Sequence, residues 1–259
     1  MRRKLVVGNW KMHLTRDEAA SLVGALQEGF VETEAEVGVC PAYLSIGIVR
    51  RLLEGAPIAL GAQDVFWLDQ GAFTGRVSGS MLKDAGVTLC LVGHSETRGR
   101  FGKLDVPEST VGFFAETDET VNLKIKALLK HGIAPILCVG ETLEEREADR
   151  TDSVIQSQLR GALEGIKDFA NGVVAYEPVW AIGTGKTCDA AEASRVCGVV
   201  RTALRAILGA QADSVRILYG GSVNAANAKE LFAQPDIDGG LVGGASLKPA
   251  DFTKIIAAA

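Results

Sequence analysis

Short apolar runs punctuate the chain at Leu5 to Asn9, Val37 to Cys40, Ile58 to Gln63, Thr88 to Gly93, Ile133 to Cys138, Gly172 to Glu177, Val215 to Gly220 and Gly239 to Gly243. They recur about every 30 residues, the length of one strand-and-helix unit. Each run is apolar at consecutive positions, which predicts strands covered on both faces, as parallel strands are; alternation would predict a half-exposed antiparallel sheet. Helix-like stretches lie between them, at Arg16 to Phe30, Thr120 to His131, Thr151 to Phe169, Ala190 to Leu208 and Ala226 to Phe232. Thr15 with Glu18 reads as an N-cap with its capping-box acid, and Gly132 after Lys130 and His131 reads as a helix stop. Eight such units in 259 residues leave no room for a second domain. Right-handed crossovers then predict one α/β domain over residues 1–259, a (β/α)8 barrel of eight parallel strands with surrounding helices; a doubly wound open sheet is the alternative.

Composition narrows the partners. Charged residues are 23% of the chain, apolar ones 47%, and the net charge is −5, so there is no basic footprint for nucleic acid. No apolar run approaches the roughly 20 residues of a spanning helix, and Met1-Arg2-Arg3-Lys4 leads into only a short strand-like segment, so neither membrane insertion nor secretion is expected and the location expected is cytoplasmic. The five cysteines are scattered with no CxxC pair, which argues against a disulfide framework or a zinc site and for reduced thiols, mostly in core strands.

In a parallel barrel the chemistry sits at the carboxyl ends of the strands. There the chain places Asn9-Trp10-Lys11, Gly93-His94-Ser95-Glu96, Glu177, Gly220-Gly221-Ser222 and Gly243-Gly244-Ala245-Ser246. Singly, Lys11 reads as a solvated loop lysine and His94 as a hydrogen-bonded structural histidine. Five coincidences at five strand ends point to a site. Glu177 is followed by Pro178-Val179-Trp180 and a loop hinged by Gly183 and Gly185, an arrangement that suits a general base under a mobile lid. The glycine pairs let backbone amides approach a phosphate, with Ser222 adding a donor and Gly183 a further amide when the loop closes. Tight turns needing positive φ are the other reading of either pair. A small phosphorylated molecule is the substrate class expected. An aldolase or lyase of phosphorylated sugars would share the glycines, but would ordinarily want a Schiff-base lysine at strand six or a metal cluster. A non-catalytic phosphate binder would not need Lys11, His94 and Glu177 together.

Asn9-Trp10-Lys11, Gly93-His94-Ser95-Glu96, Pro135-Ile136-Leu137-Cys138-Val139-Gly140-Glu141, the stretch from Ala175 to Lys186, Tyr219-Gly220-Gly221-Ser222-Val223 and Leu241-Val242-Gly243-Gly244-Ala245-Ser246-Leu247-Lys248 resemble the triosephosphate isomerase family, over nearly the whole chain. The resemblance implies a TIM barrel and a homodimer. Its reaction would be the interconversion of dihydroxyacetone phosphate and glyceraldehyde 3-phosphate through an enediolate in glycolysis and gluconeogenesis, with no cofactor and no metal. It implies Glu177 as the base, His94 as a neutral electrophile at the carbonyl oxygens, Lys11 as fixed positive charge for the developing oxyanion and Asn9 as a donor beside it. Gly183, Ser222, Gly243 and Gly244 would hold the phosphate. Glu96 would orient Lys11 or assist proton movement, and Thr74, on the loop after strand three, would help position the neighbouring subunit's site.

The chain departs from the family's pattern in two places. After His94-Ser95-Glu96-Thr97-Arg98 come about a dozen extra residues, with Gly99, Gly102, Pro107 and Gly112 among them, before Phe113-Phe114-Ala115-Glu116; a surface excursion near the rim is expected. Arg76 stands where the family ordinarily has Glu, and Thr97 where it has Arg. The expectation is that Arg76 finds a new acidic partner or that the insert adds interface.

Overall fold

The computed structural model describes residues 2–103 and 105–259. Eight strands, β1 (Leu5–Asn9), β2 (Glu36–Cys40), β3 (Ile58–Ala62), β4 (Leu89–Val92), β5 (Ala134–Val139), β6 (Val173–Tyr176), β7 (Arg216–Tyr219) and β8 (Gly239–Val242), pair in parallel and in sequence order, and β8 returns to β1 to close the barrel. Helices α1 (Arg16–Glu28), α2 (Ile46–Leu52), α3 (Gly79–Asp84), α4 (Asp118–Lys130), α5 (Leu143–Glu147), α6 (Thr151–Ala162), α7 (Ala190–Leu208), α8 (Ala228–Phe232) and α9 (Pro249–Ala257) surround it.

Both strand faces are buried, for different reasons. Leu5, Val7, Leu89, Leu91, Ile136, Cys138, Val173, Ala175, Leu218 and Leu241 form one apolar cluster inside the barrel. The residues between them, such as Val6, Val92, Leu137, Val174 and Ile217, join the larger cluster under the helices. That division explains the continuous apolar runs, since alternate side chains of a strand point to opposite faces. All five cysteines are buried and unpaired, with Cys40, Cys90 and Cys138 on strands.

The helix starts follow their caps. Thr15 accepts from the Glu18 backbone N–H while Glu18 Oε2 accepts from Thr15 N at 2.7 Å, and Thr117 and Thr142 cap α4 and α5 likewise. The helix expected to run from Thr151 to Phe169 is shorter than its apolar pattern. It stops at Ala162, and Gly165 takes a left-handed φ of 69°, which turns the chain toward β6.

The seam between β7 and β8 is the weakest in ladder hydrogen bonds, with Tyr219 and Gly240 its registered pair. A buried charge cluster closes it from below. Asp238 N donates to Ile217 O at 2.6 Å and Asp238 Oδ2 accepts from Ile217 N at 2.9 Å. The same carboxylate binds Arg2 Nε at 2.8 Å and Arg201 Nη2 at 3.1 Å. Gly239 then approaches β1 so closely that any Cβ there would overlap the Leu5 carbonyl. Arg201 is 1% exposed and depends on Asp236 and Asp238 for its charge partners. Asp238→Ala therefore leaves the buried Arg201 with Asp236 as its remaining charge partner and Ile217 N without its acceptor, and is expected to cost about 3–5 kcal/mol, read as a lowered urea midpoint at unchanged slope; a midpoint within error of wild type would contradict the role given to this cluster.

Candidate active site

The parallel barrel brings Asn9, His94 and Glu177 from β1, β4 and β6 to one rim, where Glu177 is 2% exposed and His94 6%. A carboxylate so buried needs a partner for each oxygen. Glu177 Oε1 lies 2.8 Å from His94 Nε2, and Oε2 accepts from the Ser95 backbone N–H at 2.9 Å. On the other side of the imidazole, Glu96 N donates to His94 Nδ1 at 3.1 Å. With Nδ1 accepting, a neutral ring carries its proton on Nε2 and donates it to Glu177. Burial alone would push the His94 pKa down; the carboxylates of Glu177 and Glu96 outweigh it and hold the imidazole above its ordinary value in this resting arrangement.

Lys11 adopts a left-handed φ of 52°, a conformation that costs a non-glycine residue about 1–2 kcal/mol. Its neighbours hold it there. Asn9 Oδ1 accepts from Lys11 N at 3.0 Å, and Gln63 Nε2 donates to Lys11 O at 2.8 Å and to Cys40 O at 3.0 Å. The turn aims Lys11 Nζ at Glu96 Oε1, 2.5 Å away. Although burial opposes it, His94 and Lys11 hold the Glu96 carboxyl below its ordinary value. Glu96 thus touches both Lys11 and His94, one through its side chain and the other through its backbone.

The glycine pairs sit around this cluster without positive φ; Gly220 and Gly221 are closely approached by their neighbours, whereas Gly243 makes only ordinary contact and Gly244 faces open space. A Cβ on Gly220 would lie 3.1 Å from Glu177 Cγ, and one on Gly243 would lie 3.6 Å from Lys11 Cε. Gly243 leads into a short 3-10 turn, Gly244–Leu247, fastened by Ser246 Oγ donating to Gly243 O at 2.7 Å. Gly183 and Gly185 do take left-handed φ values, 70° and 78°, and both are exposed. Ser222 Oγ donates to Ala181 O at 3.3 Å, so it meets the loop after β6. Thr74 is exposed on the loop after β3, apart from the cluster.

Glu141, Gln63, Gly140 and Arg100 are structural members of this rim that residue type alone does not announce. Glu141, fully buried at the end of β5, accepts from Trp180 Nε1 at 2.8 Å and Tyr176 OH at 3.1 Å. It ties the 3-10 turn Val179–Ala181 to the barrel. Gly140 packs under Glu177, where any Cβ would overlap the Glu177 backbone carbonyl. Their signal was faint: Glu141 and Gly140 lie in a strand-end run that carries no role by residue type alone, and Gln63 is a neutral side chain whose task is to donate to two backbone carbonyls.

Of the two departures, Thr97 Oγ1 lies 2.5 Å from Glu116 Oε2, and Glu116 pairs with Lys124, which also reaches Asp64 at 2.6 Å. Arg76 stands over the Phe66 ring, 6.0 Å from its centroid, and meets no carboxylate of its own chain among the described residues. The insert includes a 3-10 turn, Glu108–Phe113, and returns past Phe114, which packs edge-on against Phe101.

A closed parallel barrel with a buried carboxylate–imidazole pair and a lysine at its carboxyl rim defines a TIM-barrel enzyme equipped for proton transfer. The chain belongs to the triosephosphate isomerase family, whose pattern it matches over residues 4–259. It is 47% identical to the triosephosphate isomerase of Thermoanaerobacter sp. (strain X514) over 99% of each chain. It is 49% identical to that of Chlorobium luteolum over 100% of this chain and 99% of the relative, and 48% identical to that of Moorella thermoacetica over 99% and 98%. A pH titration of the His94 ring followed by NMR tests this pairing, because the Glu177 carboxylate is the largest influence raising the His94 pKa. Glu177→Gln is expected to lower it; a midpoint that does not fall would show the pair is not what sets the protonation.

Proposed function

We propose that the chain interconverts dihydroxyacetone phosphate and glyceraldehyde 3-phosphate, with Glu177 moving the proton between adjacent carbons. One observation carries the assignment of roles: the carboxylate that ends β6 and the imidazole that ends β4 face each other, 2.8 Å apart, beside the lysine turned in from β1. Moving a carbonyl along the chain requires removal of a weakly acidic carbon-bound proton, stabilisation of an enediolate and return of the proton to the neighbouring carbon. Glu177 is the base for both transfers, and substrate replaces His94 and Ser95 N as its partner. Released from Glu177, His94 loses the main influence that raises its pKa, and a neutral Nε2–H is left to serve the enediolate oxygens. Lys11 supplies fixed positive charge to them and Asn9 a neutral donor. Glu96 keeps Lys11 and the His94 tautomer in place.

Gly243 and Gly244, with Ser222 and the Gly183 amide on the loop, form the phosphate cradle in this reading. The loop from Pro178 to Lys186 acts as a lid. Its closure sequesters an enediolate that water would otherwise help to lose phosphate. Trp180, clamped between Glu141 and the Arg146 guanidinium, which stands 4.4 Å from the Trp180 ring, serves as the lid's first hinge.

The whole chain works as one catalytic unit in the cytoplasm; among the described residues no helix is long and apolar enough to cross a membrane. It works as a homodimer. Met12 at 95% exposure and Leu44 at 87%, with Phe73 beside Thr74 also exposed, are the kind of large apolar side chains that a second copy covers. Sedimentation at micromolar concentration is expected to give the dimer mass; an active monomer would refute this part of the reading.

The reaction itself is tested by supplying glyceraldehyde 3-phosphate to the purified chain and measuring dihydroxyacetone phosphate. Glu177→Asp withdraws the base by one methylene and is expected to lower kcat about 100-fold with KM changed less than about threefold. Unchanged turnover would sink the assignment of Glu177.

A further inference from the structure

The segment that follows Arg98 has no part in the chemistry just described, yet it is built against the lid. The contact is backbone on backbone. Gly102 presents a hydrogen where any other residue would present a Cβ, and that Cβ would overlap the carbonyl oxygens of both Val179 and Ile182 and lie 3.1 Å from Thr184 Cγ2. Val179 opens the 3-10 turn at the lid's first hinge and Ile182 directly follows it. Gly102 has no left-handed φ, so space alone requires glycine at this position. Gly112, in the same segment, faces open space.

Gly102 is also anchored to the elements that hold the base. Two residues earlier, Arg100 N donates to Ser95 O at 2.9 Å, and Ser95 N is the donor to Glu177. The Arg100 side chain donates to Gly140 O at 3.1 Å and pairs with Glu145 at the start of α5, while Gly140 packs under the Glu177 backbone. A continuous path of contacts therefore runs from the ends of β4 and β5 through Arg100 to the lid hinge.

We propose that Gly102 is a positioning residue for the lid: the insert forms a strut whose glycine seats the Val179–Ile182 turn and sets the hinge's resting place relative to Glu177. This rests on reading residues 178–186 as the lid. A side chain at position 102 displaces two hinge carbonyls at once, so the turn starts from the wrong place and closes less often over the bound substrate. The strut touches no substrate atom, and its effect falls on turnover more than on substrate capture.

Gly102→Ala tests this, with Gly112→Ala as the matched control. With glyceraldehyde 3-phosphate, Gly102→Ala is expected to lower kcat about tenfold or more with KM within about twofold, whereas Gly112→Ala leaves both unchanged. An activity-independent readout is tryptic cleavage after Lys186, at the lid's exposed end. It is expected to run at least about tenfold faster in Gly102→Ala than in wild type, because a displaced lid populates open forms more often. Arg100→Ala keeps the glycine but removes the strut's side-chain anchor to Gly140 O and Glu145, and is expected to speed the same cleavage, which keeps the test available if Gly102→Ala does not fold. Gly102→Ala matching Gly112→Ala in kcat and cleavage, or Arg100→Ala cleaved at the wild-type rate, would overturn the proposal. A wild-type chain with no isomerase activity would instead overturn the reading of the reaction, and the cleavage comparison would still decide the strut.

Discussion

Burying the Glu177 carboxylate at the mouth of the barrel is possible only if both of its oxygens are satisfied, and that requirement organises the rim. One oxygen takes the His94 ring and the other the Ser95 amide, so the ends of β4 and β6 must converge although β5 lies between them. β5 permits this because Gly140 directly follows it and leaves room for the Glu177 backbone. Glu96 follows on the same turn as His94 and supplies the backbone N–H to its ring, which makes the tautomer a consequence of chain geometry. The carboxylate and imidazole are therefore engaged with each other, and in the proposed reaction substrate has to part them.

The same economy governs the two sides of the site. On one side Lys11 is kept in a strained left-handed turn by Asn9 and Gln63, so its charge is aimed by backbone conformation as well as by its pairing with Glu96. On the other, the loop after β6 is held at its first turn by Glu141 through Trp180 and by Ser222 through the Ala181 carbonyl. The rest of that loop is largely exposed and is bent by two left-handed glycines. A rigid cluster beside a loop fastened mainly at its base is the division expected where the chemistry needs fixed dipoles and the substrate needs a way in.

Much of this was legible without coordinates. The eight strands stood out because barrel strands are buried on both faces and read as unbroken apolar runs, and the Thr15 capping box located the start of α1 to the residue. That Glu177, His94, Lys11 and Asn9 lie at one rim was legible because parallel strands deliver their carboxyl ends to the same side, so position in a strand implies position at the rim. Less visible was the end of α6 at Ala162, since the apolar spacing continues past the residues where the chain turns. Gln63, Glu141 and Gly140 were harder still: they act on the backbone or rings of other residues, and nothing in an amide, a lone acid or a glycine says which backbone that is. Thr97 and Arg76 registered as changes of charge, but Lys124 bridging Glu116 and Asp64 emerged only when α4 was packed against the loop after β3.

Periodicity and local caps, which depend on near neighbours along the chain, were enough to determine strand number, direction and the starts of α1, α6 and α7, and with them which residue types meet at the rim. Distances between those residues depend on how eight twisted strands close and on what fills the space between them, and only the tertiary structure decided them. It decided that His94 bonds Glu177, that Glu96 meets both His94 and Lys11, and that the insert after Arg98 turns back on the loop after β6 through Gly102. The physical reason is the same in each case: hydrogen bonds and steric contacts form between groups dozens of residues apart, and their geometry exists only once the barrel has closed.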